Sequence, residues 1–133
     1  MPLHDLPSAV LFACSHNAIR SPMAAGLMRY LHGGKLFIGS AGVRAAAEPD
    51  PFMVAAMDEL GIDMSRHRPQ SFDDLEDTSF DLVVSLAPEA HHRALELTRT
   101  MAIEAEYWPT ADPSAGLGSR EQILDGYRVI RDG

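Results

Sequence analysis

Three short apolar runs, each released through a turn into a helix with proline at or just before its start, constrain this chain more than any other feature. "SAVLFAC" at 8–14 precedes "SPMAAGLMRYLH" at 21–32, and "DLVVSLA" at 81–87 runs straight into "PEAHHRALELTR" at 88–99. Between them, "KLFIGSAG" at 35–42 leads through Pro49 and Pro51 into "PFMVAAMDEL" at 51–60, closed by Gly61. Continuous rather than alternating apolarity is the pattern of a strand covered on both faces. Ser21 reads as the first helix's cap with Pro22 near its first position, where a missing N–H costs nothing. Gly33 and Gly34 end that helix. "AEYW" at 105–108 is a fourth, shorter strand, "PTADPSAGLG" at 109–118 a loop, and "SREQILDGYRVIRD" at 119–132 a last helix.

Strands alternating with helices build βαβ units with right-handed crossovers. The expected fold is α/β: a single domain over residues 1–133, with a doubly wound four-stranded parallel sheet flanked by helices. The acidic stretch "FDDLEDTSFD" at 72–81 reads as a solvated connection, and Met23, Met28, Met53 and Met57 as core filling. In such sheets ligands gather at the carboxyl ends of the strands. Cys14 stands at the end of the first strand and the start of the first helix, so it marks where to look.

Cys14 is the only cysteine in the 133 residues, which excludes an internal disulfide framework and a multi-cysteine metal site. The formal charge of −8 argues against nucleic acid and anionic membrane as partners. The N-terminal "MPLHDLPSAV" has neither the basic region nor the long apolar core of a signal peptide, and the reading is a cytoplasmic chain. An acidic chain that binds an anion must do so with local potential. The segment between Cys14 and Arg20 supplies the means. A turn from strand into helix can point successive N–H groups inward, the helix dipole adds to them, and the Arg20 fork can hold two oxygens of a tetrahedral anion. Such a potential favours the thiolate of Cys14, and Ser21 can donate to its sulfur. A buried inert thiol is the competing reading of Cys14, and a plain turn that of Asp112-Pro113.

The stretch "VLFACSHNAIRSPMA" resembles the phosphate-binding loop of the low-molecular-weight protein tyrosine phosphatases and of the arsenate reductases that share their fold. The resemblance continues through "GSAG" at 39–42, "ELGIDMSRHR" at 59–68, "FDLVVSLAPEA" at 80–90, "YWPTADP" at 107–113 and "YRVIRD" at 127–132. It implies a phosphatase in which Cys14 attacks phosphorus and forms a phosphocysteine. Ser15, His16, Asn17, Ala18, Ile19, Arg20 and Ser21 would hold the phosphoryl oxygens, and Asp112 would protonate the leaving group. Asn17 would brace the loop. Neither metal nor cofactor is implied. The substrate would be a phosphorylated protein, a small phosphoester or another oxyanion; oligomeric state is not indicated.

The chain departs from the family pattern at several places. His16 stands where a glycine is usual, and would tolerate a positive φ better than most residues. Ile19 replaces a cysteine that often precedes the arginine. No aromatic follows Pro113 or Gly42. Ala87 and Ala94 stand where thioredoxin-coupled arsenate reductases carry two further cysteines. A single-cysteine arsenate reductase using an external thiol is therefore one alternative, and a non-catalytic phosphate- or phosphoprotein-binding module another. His67 reads as a polar loop residue, a contact with Asn17 being the lesser reading. Tyr107 and Trp108 read as half-buried strand residues, a border of the pocket being the lesser reading, and His91 and His92 as surface or helix-end residues, since neighbours on a helix point about 100° apart.

Overall fold

The computed structural model describes residues 9–32, 37–75, 80–99, 103–111, 113 and 120–132. Four parallel strands, β1 (Ala9–Cys14), β2 (Phe37–Gly42), β3 (Leu82–Ser85) and β4 (Glu104–Tyr107), lie in the order β2-β1-β3-β4. They alternate with α1 (Arg20–His32), α2 (Pro51–Asp58), α3 (Pro88–Thr98) and α4 (Arg120–Asp132). This is the doubly wound single domain that the apolar runs imply.

All six residues of β1 are buried, because the strand is central and covered on both sides. Period-two alternation divides them between two cores. Leu11 and Ala13 face Phe72, Phe80, Val83 and the inner side of α3, whereas Val10, Phe12 and Cys14 face Ala25 of α1 and Val84. A third cluster joins α1, α2 and α4 through Met23, Met53, Met57, Met64, Leu124 and Tyr127. Of the four methionines expected in the core, Met23, Met53 and Met57 are fully enclosed and Met28 is partly so. β4 is an edge strand, and the exposed Glu104 and Glu106 blunt it against pairing with another chain.

Two local readings need correction. α1 begins one residue early, at Arg20, with the Met23 N–H bonded to the Ile19 carbonyl at 3.0 Å. Ser21 is thus inside the first turn and is not the cap; its hydroxyl turns inward, as described below. The acidic connection is also not merely solvated. Phe72 opens a 3-10 turn over Phe72–Asp74, and Phe72 and Phe80 are buried against the sheet. Residues 76–79 lie outside the described residues. Among the described residues, no helix is long and apolar enough to cross a membrane.

Gly61, at φ +78°, ends the turn after α2, where only glycine adopts that backbone without strain. Asp50 caps α2 by accepting from the Phe52 and Met53 N–H groups at 2.9 and 3.2 Å. Its other oxygen accepts from the Tyr127 hydroxyl at 3.0 Å, tying α2 to α4.

Candidate active site

Residues 14–19 form a cup whose shape follows from where its carbonyls go. The Cys14 carbonyl accepts from Val43 N–H at 3.1 Å, that of Ser15 from Arg44 at 2.9 Å and that of His16 from Ala46 at 3.0 Å. The Asn17 carbonyl accepts from His67 Nε2 at 2.7 Å, and the Ala18 carbonyl from Asp50 N–H at 3.2 Å. These partners all belong to the segments after β2 and after α2, outside the loop. None of the described peptide bonds is cis, and in a trans peptide the N–H of the next residue points opposite to the carbonyl. Drawing five carbonyls outward therefore turns the N–H groups of residues 15–19 toward the other side, where an anion can be cradled.

Asn17 is the keystone. It is fully buried and takes φ 56°, the only positive φ of a non-glycine among the described residues. Asparagine is one of the few side chains that tolerate this region. Its amide spans the cup's base: Nδ2 donates to Ser21 Oγ at 2.8 Å, and Oδ1 accepts from the Gln70 N–H at 2.9 Å. The left-handed residue is thus Asn17, whereas His16 has an ordinary negative φ and an exposed side chain. Gly42 supports the loop from behind. A Cβ there would sit 2.7 Å from Asn17 N, 2.8 Å from His16 C and 3.0 Å from Ser15 O.

Cys14 lies buried at the base with Sγ 3.0 Å from Ser21 Oγ. Because the Ser21 oxygen already accepts from Asn17, its one proton is available to the sulfur; the Ala41 carbonyl, at 3.4 Å, is the more distant acceptor. Arg20 reaches across the opening. Its Nη1 donates to the Thr110 carbonyl at 3.0 Å and its Nη2 to Ser15 Oγ at 3.1 Å. The Ser15 hydroxyl donates in turn to Glu89 Oε1 at the start of α3. Trp108, half-exposed, packs its ring 6.3 Å from Phe12 and borders a groove of about 220 Å³ with Arg20, Met23, Leu86 and Thr110.

Every expected loop residue from Cys14 to Ser21 is brought together. Asp112 lies outside the described residues; the carbonyl of Thr110, two positions before it, accepts from Arg20. His67 is corrected from a plain polar loop residue to a support of the cup. A carbonyl can only accept, so Nε2 carries the proton. Burial pushes the His67 pKa down, the bond to Asn17 opposes this, and the Arg29 charge adds slightly to the fall. His91 stacks on Tyr107 at 4.9 Å while His92 is exposed, so the pair diverges as their spacing requires. Gln70 escaped the sequence reading, and Gly42, Thr110 and Glu89 lie in stretches that carry the resemblance without being singled out, because their contacts with the loop exist only in the folded chain.

A buried cysteine stands at the carboxyl end of the central strand, at the base of a loop whose amides and flanking arginine are arranged as a cradle for a tetrahedral anion would be. Residues 9–121 match the family described as low molecular weight phosphotyrosine protein phosphatase, and the chain belongs to that family. It is 34% identical to a glutaredoxin arsenate reductase of Synechocystis over 92% of this chain and 86% of the relative. Among solved structures, it is similar to an arsenate reductase in its phosphate-binding state, with 28% identity, a TM-score of 0.72 and coverage of 94% and 88%. The Erwinia amylovora tyrosine phosphatase AmsI shares the fold at 17% identity, with a TM-score of 0.77 and coverage of 99% and 89%. The family's members are cysteine-dependent enzymes, phosphatases or arsenate reductases.

Proposed function

We propose that this protein is a phosphomonoester hydrolase that works through a phosphocysteine on phosphotyrosine or small aryl phosphates. The observation that carries the reading is the set of outward-tied carbonyls around Cys14, which leaves a ring of N–H groups beside Arg20. In the first step the Cys14 sulfur bonds to phosphorus as the bond to the leaving oxygen breaks, with a proton passing to that oxygen from Asp112. The amides of residues 15–19 and the Arg20 guanidinium hold the equatorial oxygens as charge builds on them. In the second step water attacks phosphorus, gives its proton to Asp112 and releases the sulfur, which the Ser21 hydroxyl receives. Trp108 offers an aryl group the apolar contact that the stretches after Gly42 and Pro113 lack. The chain is expected to act in the cytoplasm.

Arsenate reduction is the second reading, favoured by the Synechocystis relative, whose name couples arsenate reduction to glutaredoxin. With a single cysteine the chain has no internal thiol to pass a disulfide along, so that reading requires an external thiol to attack the sulfur of a Cys14–arsenate adduct, forming a mixed disulfide as the S–As bond breaks and arsenite leaves with its two electrons. The deciding experiment is steady-state hydrolysis of an aryl phosphate from pH 5 to 8 by wild type and Cys14→Ser, with arsenate, glutathione and glutaredoxin in parallel. Hydrolysis lost in the variant supports the phosphatase. Thiol-dependent arsenite production by a wild type that hydrolyses nothing replaces it with the reductase.

A further inference from the structure

Glu89 is outside the residues that the loop motif marks, yet it touches the cup. It is the second residue of α3, and that helix begins directly beyond β3. The ends of three strands are stitched together at this point: Leu86 N–H donates to the Ala13 carbonyl at 2.8 Å, and Thr110 N–H to the Leu86 carbonyl at 3.1 Å. This stitching places the Glu89 carboxylate beside Ser15, the residue after Cys14, although 74 positions separate them.

A serine hydroxyl has one proton and two lone pairs. Ser15 gives its proton to Glu89, so its lone pairs are left for Arg20 Nη2, which donates to them at 3.1 Å. The other amino group, Nη1, is held by the Thr110 carbonyl at 3.0 Å. Two of the guanidinium's five N–H donors are thus spent on the protein, and three remain for a bound anion. Without the carboxylate the hydroxyl proton would be free to turn toward Arg20 and repel it.

We propose that Glu89 is a positioning residue for Arg20: it orients the Ser15 hydroxyl as an acceptor, which holds the guanidinium over the cup. The inference rests on the cup being the site of the substrate's phosphoryl group. A different role for the same carboxylate would be simple repulsion of the anion, and the two make opposite predictions.

The test measures inorganic phosphate affinity by calorimetry, together with kcat and KM for an aryl phosphate, in Glu89→Ala, Glu89→Gln, Ser15→Ala and the Ser15→Ala/Glu89→Ala pair. Thermal midpoints show that each variant is folded; Glu89 is exposed and its replacement leaves the core intact. Positioning predicts that Glu89→Ala and Ser15→Ala each weaken phosphate about tenfold, the value of one charge-assisted hydrogen bond. The paired variant is then no worse than either alone, because both remove the same bridge. Glu89→Gln, which keeps an acceptor for Ser15, stays within about threefold of wild type or binds tighter. Glu89→Ala binding phosphate as well as or more tightly than wild type overturns the proposal, and so do additive losses in the paired variant. If wild type hydrolyses no aryl phosphate, the phosphatase reading fails while the phosphate affinities still decide the role of Glu89.

Discussion

Replacing Gly42 by alanine tests whether the cup's shape is set from behind. The added methyl would stand 2.7 Å from Asn17 N and 2.8 Å from His16 C, short of ordinary contact by about 0.8 Å. Both obstacles are backbone, so no side-chain end can swing aside. β2 cannot retreat either, since Gly42 pairs with Cys14 in the sheet and donates its N–H to the Gln70 carbonyl at 2.8 Å. The loop must therefore move by most of that distance. Overpacking of this kind costs about 1–3 kcal/mol, which in a domain of this size lowers Tm by about 5–10 °C. A displacement approaching 1 Å in groups that hold the reacting phosphoryl costs about a hundredfold in rate. The assay is kcat/KM on an aryl phosphate with phosphate affinity and Tm measured alongside. Gly26→Ala serves as the control, because its methyl crowds the flexible ends of Met64 and Met57, at 3.0 and 3.1 Å, meets Ile62 Cγ2 at an ordinary 3.6 Å, and lies on α1 away from the cup. Its activity should match wild type. A Gly42→Ala protein with unchanged kcat/KM, phosphate affinity and Tm would refute the reasoning.

Asn17→Ala should destabilise by about 2–4 kcal/mol, combining a strained φ with two lost buried hydrogen bonds, and Asn17→Gly by less because glycine accepts the φ; denaturant midpoints separate the two causes. His67 has its pKa lowered by burial, so its stabilising effect is present above the unfolded value of about 6.5 and is lost as pH falls through the folded one. Urea titrations from pH 7.5 to 5 should show falling stability that His67→Gln flattens; an identical slope in both proteins would count against it. Glu59 accepts from Arg128 and Arg131 of α4, and these bonds hold its pKa down to about 2. Its effect is present above the ordinary carboxylate range and lost as pH falls through about 2. Glu59→Gln should therefore narrow the gap in Tm between pH 7 and pH 2, and the difference between the two proteins should shrink in high salt.

The chain's layout was legible because its strands are buried on both faces and its second and third helices open on prolines. The placing of the cup was legible for a similar reason: Cys14, Arg20 and Ser21 fall within one strand-to-helix turn. What escaped reading is what the fold assembles from afar. Ser21 has the composition of a helix cap, but a nearby sulfur and the Asn17 amide compete for its hydroxyl and win. His67 lies in a polar stretch whose pattern does not distinguish it from its neighbours, and its role exists only because the turn after α2 docks on the Asn17 carbonyl. Phe72 and Phe80 are masked by the acids around them, whose charge points to solvent while the two rings turn into the sheet. Glu89 reads as an ordinary acidic residue in a helix's first turn, a place where the dipole alone would favour it.

The outward-tied carbonyls also bear on how the protein reaches its working form. Their partners at Val43, Arg44, Ala46, Asp50 and His67 lie well down the chain from the loop that they brace, so β1 and α1 can form early without producing a cup. A peptide of residues 9–32 would carry Cys14, Arg20 and Ser21 and still have none of these donors to draw its carbonyls away. On the proposed reading, phosphate affinity emerges only after β2 has paired and the turn near His67 has docked, a sequence-distant closure that is slow relative to helix formation. In refolding, helical signal would return first and anion binding afterwards, which makes ligand capture a reporter of the completed native state.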